Sequence, residues 1–124
     1  MGIIDDDDRS SRRKAEEAKA AEKARQAKRE IDSFLSRWSI DHLIEAVVGE
    51  AKRLFAARGE VRDVRIRTRA VTQNIADSEK CQRVLMEALQ RIEPSTQRVT
   101  FEKPYEDSRD PQWGISVSFR PPLT

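Results

Sequence analysis

The sequence predicts an α+β protein: a long charged N-terminal helix followed by a two-layer domain of two helices on a three-stranded mixed sheet, in the order α-α-β-α-β-β. Three observations predict it. Residues 9–38 contain neither Gly nor Pro and consist largely of Ala, Glu, Lys, Arg and Gln, all strong helix formers. Residues 61–71 alternate apolar and basic side chains, the period of a strand with one buried face. Apolar side chains recur at helical spacing through 40–55 and again through 81–92. A chain of 124 residues accommodates one small domain and an appendage, divided here into an arm, 1–38, and a head, 39–124.

The arm opens on four aspartates, residues 5–8, with Ser10 and Ser11 behind them. Negative charge and capping hydroxyls favour the positive end of a helix dipole. One helix of about 25–30 residues, ~40 Å long, is expected. Ala20, Ala24, Ala27, Ile31, Phe34 and Trp38 fall at spacings of 4, 3, 4, 3 and 4, a heptad seam. Its large end, Phe34 and Trp38 with Leu35, is expected to dock on the core. Its alanine end buries too little to hold a partner alone, and a small head does not cover so long a helix, so the N-terminal half projects.

A second helix is expected after a break at Ser39, capped by Ser39 or Asp41. Ile40, Leu43, Ile44, Val47, Val48, Ala51, Leu54 and Phe55 form its apolar face, and Gly59 stops it. The first strand follows, with Val64, Ile66, Thr68 and Ala70 inward and Arg65, Arg67 and Arg69 outward. Residues 73–76 read as a loop. Asp77 or Ser78 caps a third helix carrying Cys81, Val84, Leu85, Ala88, Leu89 and Ile92 on one face and ending before Pro94. The second strand, 97–105, turns Val99 and Phe101 inward. The third, 113–120, turns Ile115, Val117 and Phe119 inward. A strand–helix–strand crossover places strands one and two parallel, and a short connection makes two and three a hairpin.

Composition narrows the function. Charged residues make up 37% of the chain, well above the ~25% of average soluble proteins. No apolar run approaches the ~18–20 residues of a membrane-spanning helix, and a single cysteine excludes a disulfide scaffold. The start, with four aspartates in place of a basic and then apolar stretch, is unlike a secretory signal. The expected location is the cytoplasm, or an assembly formed there. The four glycines, at 2, 49, 59 and 114, are too scattered for a phosphate-cradling loop. One Cys and one His exclude a zinc site within the chain. Cys81 falls on an apolar stripe and reads as packing, and His42 reads as a surface or packing residue. The 5–8 carboxylates lack the glycine turn and distal glutamate of a calcium loop, and read as a solvated tip. No acid/base couple emerges. The expectation is therefore a non-enzymatic protein with no cofactor and no metal.

Two surfaces remain as functional signals. Residues 9–30 carry nine basic and four acidic side chains, a balance of +5, in a chain of net charge +2. The outer sheet face gathers Arg65, Arg67, Arg69, Arg98 and Arg120 against Glu102, without an aromatic side chain. Aligned guanidinium groups suit a phosphate backbone or a row of carboxylates. The lack of aromatics and the near-neutral chain favour protein over nucleic acid. The reading is a structural or interaction subunit of a larger assembly, such as a virion or multiprotein machine, acting through the arm seam and the arginine face. The alternative is a small RNA- or DNA-binding accessory protein using the same face and the basic arm.

Overall fold

A computed structural model describes residues 6–107 and 109–124, with side chains from Ser10 onward. The elements are α1 (Asp6–Phe34), α2 (Arg37–Arg58), β1 (Val61–Thr68), α3 (Gln73–Ala76), α4 (Glu79–Ile92), β2 (Thr96–Glu102) and β3 (Trp113–Leu123). The α+β class and the two-layer arrangement hold: α2 lies against β1 and α4 against β2, on the inner face of one three-stranded sheet. The proposed acidic tip at residues 5–8 lies outside the described residues and side chains.

The first correction concerns the break between the first two helices. It falls at Leu35–Ser36 rather than at Ser39. Ser36 is extended (φ −61°, ψ 144°) and closes both helix ends. Its hydroxyl donates to the Ser33 carbonyl at 2.7 Å and accepts from the Ser39 N–H at 3.3 Å. Ser33, Ser36 and Ser39 share one spacing, so sequence alone leaves the choice among them open. The early break resets the helical phase. On α2, Ile40 and Leu43 face the core, and Trp38 lies two residues, ~200°, from Ile40. Trp38 is accordingly 78% exposed, and the seam ends in the core at Phe34. The C-terminal end of α2 is as expected: Gly59 adopts φ 72°, and its N–H caps the Phe55 carbonyl at 2.7 Å.

The second correction concerns sheet order. The sheet is β1-β3-β2 and wholly antiparallel, not mixed. The crossover from β1 to β2 leaves a gap one strand wide, and β3 fills it, so β1 and β2 never pair. β3 is the longest strand and carries Ile115, Val117 and Phe119, all buried, so it takes the position with two neighbours. Val64 and Val99 both register with Val117, and Ile66 and Phe101 with Ile115. The third correction is local. Residues 73–76, read as a loop, form the single helical turn α3, which buries Ile75 beneath the root of α1. Strand β1 ends at Thr68, which puts Arg69 and Ala70 in the turn beyond it.

Leu43, Val47, Val61, Val64, Leu85, Leu89, Val99 and Val117 join the residues above in one core, with Cys81 fully buried among them.

Candidate functional site

The arm is built from its root outward. Phe34 is 2% exposed, Ile31 and Leu35 pack against the core, and Ala27 is half-buried. The Glu30 carboxylate accepts from the Thr72 hydroxyl at 3.3 Å and from the Asn74 side-chain amide, fastening the helix to α3. From residue 10 to residue 26 every side chain is exposed, including the seam members Ala20 and Ala24. That exposed stretch covers ~25 Å of helix. Within it, Glu22 holds Arg25 at 3.1 Å and Arg29 at 3.3 Å. Such exposed pairs add little to stability.

The five arginines do not form one patch. On the outer face, the register gives three transverse rows: Asp63–Ser118–Arg98, Arg65–Ser116–Thr100 and Arg67–Gly114–Glu102. Three arginines stand among two carboxylates, a balance of +1 rather than the +4 expected. Asp63, which accepts from the Ser118 hydroxyl at 2.9 Å, was missed although the alternation extends back to it. Arg65 reaches across the central strand to Glu102 at 3.7 Å. Arg67 passes over Gly114, where a Cβ would lie 3.3 Å from the guanidinium, and donates to the Gln112 carbonyl at 3.3 Å. Its Cζ sits 4.7 Å from the centre of the Tyr105 ring. The expectation of a face without aromatics is thereby corrected, because the β2–β3 loop folds Tyr105 back over it. Arg69, in the turn after β1, pairs with Asp110 of the same loop at 3.2 Å. Arg120 is exposed six residues beyond Gly114, ~20 Å along β3 from the Arg67 row. These guanidinium groups fasten a loop as much as they face solvent.

Two surfaces escaped the sequence reading. The first is an apolar groove of about 300 Å³ at the Gly59 end of α2. Val48, Ala51 and Phe55 of α2 form one wall, Leu89 and Ile92 of α4 another, and Thr96, Phe119 and Leu123 lie between. Phe55 (46%) and Ile92 (58%) stand exposed on either side. The helical periodicity had marked both as inward. They fall in the last turn of each helix, where helix and sheet diverge. Thr96 lies on the groove lining, but its hydroxyl is buried, and it has no hydrogen-bond partner among the described residues. An unsatisfied buried polar group costs ~1–3 kcal/mol.

The second is Trp38. Its ring stacks on His42, centroids 5.6 Å apart and planes within 8°. It borders a crevice shared with Arg29, Ser33, Arg69 and Thr72. Among the described residues no three His, Cys, Asp or Glu side chains gather as a metal site, and no helix is long and apolar enough to cross a membrane. Comparison with protein-family models, with curated proteins and with solved structures gives no match.

Proposed function

We propose that this protein is a non-enzymatic assembly subunit whose head is carried beside its neighbours by the α1 arm, in the cytoplasm or in a complex formed there. The observation that carries this reading is the arm itself, whose side chains are exposed from residue 10 to residue 26 and pack on the core through Ile31, Phe34 and Leu35. Most helical stability in proteins comes from tertiary packing, which the head does not give this stretch, and contacts with neighbours would supply it. Deleting residues 1–26 tests the reading. The truncated chain is expected to unfold cooperatively at nearly the parent temperature and to lose the complexes the full chain forms, as measured by light scattering. Complexes of unchanged mass would overturn it.

Trp38 favours a second reading, single-stranded nucleic acid. An exposed indole beside Arg29 and Arg69, at the root of a basic arm, supplies a stacking platform and cations together. Quenching of Trp38 fluorescence by an oligonucleotide, weakening steeply with salt and lost in Trp38→Leu, would favour this reading over the first.

A further inference from the structure

We infer that the groove between α2 and α4 receives residues 3–8 of a second copy of this chain, with Ile3 and Ile4 entering it and the aspartates lying along its basic side. The inference rests on the assembly reading and names the contact. The groove is large enough for a pair of branched aliphatic side chains and too small to be a whole dimer interface, which needs roughly 800 Å² from each partner. Every described Ile, Leu and Val is in the core, packed against it, or on the groove wall. The chain's two other branched aliphatics, Ile3 and Ile4, are adjacent and lead directly into Asp5, Asp6, Asp7 and Asp8.

Charge complementarity selects that occupant. Lys52 lines the groove and makes no ion pair among the described residues. Exposed Arg91 precedes Ile92, and exposed Arg58 follows Phe55 by three positions. The acid on the lining, Glu93, is engaged within the chain: its carboxylate accepts from the backbone N–H and hydroxyl of Ser95. The arm's root is at one end of α2 and the groove at the other, and the side chains of residues 10–26 are exposed. In the proposed contact one chain delivers its residues 3–8 to a neighbour's groove. The contact is head-to-tail, and repeated it closes a ring or extends a filament.

The test uses a fluorescein-labelled peptide of residues 1–8, titrated into the full chain carrying Ile3→Ser and Ile4→Ser so that its own segment does not compete. Saturable binding is expected, at least tenfold weaker when Phe55→Ser and Ile92→Ser are added, and severalfold weaker with Lys52→Glu. Phe55, Ile92 and Lys52 are partly or largely exposed, and a thermal melt verifies folding. If the Phe55/Ile92 pair fails to fold, Lys52→Glu decides. Binding no better than a peptide with both isoleucines replaced by serine, or equal binding to the groove variants, overturns the inference. Light scattering separates this failure from that of the assembly reading. A complex that survives Ile3→Ser with Ile4→Ser but not deletion of residues 1–26 refutes the groove contact alone. One that survives both refutes the arm as well.

Discussion

Phe34 meets Phe101 edge to face, ring centroids 6.0 Å apart and planes at 80°. The last turn of the arm is thereby packed on the end of β2, and the arm's root is part of the core. Phe34→Ala is expected to cost ~3–5 kcal/mol, the range for a large aromatic removed from a packed site. Chemical denaturation checks it. A loss below 1 kcal/mol would mean the arm is merely appended.

Trp38→Ala is expected to change stability by no more than about 0.5 kcal/mol, as for other exposed positions. The contrast with Phe34, four residues earlier on the same apparent seam, is a direct test of where the helix breaks.

Glu30→Ala removes the acceptor shared by Thr72 and Asn74. The expected cost is about 1 kcal/mol, given partial exposure, with faster amide exchange confined to α3 and the root of α1.

The triple variant Arg65→Gln, Arg67→Gln, Arg69→Gln is expected to fold, and to free the β2–β3 loop. Arg69–Asp110, Arg67 to Gln112 and the Arg67–Tyr105 contact all tie that loop down. Limited proteolysis is expected to cut within residues 103–112 faster in the variant. Cleavage at the parent rate would show that these contacts do not restrain the loop.

The side-chain hydrogen bond from Arg53, and then its charge, hold the Glu50 carboxyl below its ordinary value of 4.5. A lowered folded-state value stabilises the fold above the ordinary value and ceases to do so as pH falls through the lowered one. The pair is exposed, so the effect is small. The advantage of the parent over Glu50→Gln in thermal melts is expected at neutral pH and to vanish in acid.

Much of this fold is legible because burial imposes a period. Ile115, Val117 and Phe119 could point only one way, and Ser78 with Gly59 marks helix ends. Sheet order is less legible, because alternation reveals which face a strand buries and says nothing of its neighbours. The same limit applied to the arginines. Alternation placed Arg65 and Arg67 correctly, but the interleaving of Asp63 and Glu102 depends on register, and Tyr105 reaches the face through a loop without periodicity. Trp38 was misplaced because three serines at equal spacing offer three equivalent breaks, and only the packing of Ile40 and Leu43 selects one.

The central position of β3 governs how this chain is made. Translation delivers α1, α2, β1, α4 and β2 first, yet neither outer strand has a hydrogen-bonding partner until residues 113–123 clear the ribosome. Until then the apolar faces of both helices lack the middle of the sheet that covers them. The head is therefore expected to complete its sheet only once residues 113–123 are available, and a nascent chain stalled before Trp113 is expected to present an unfinished apolar core to chaperones.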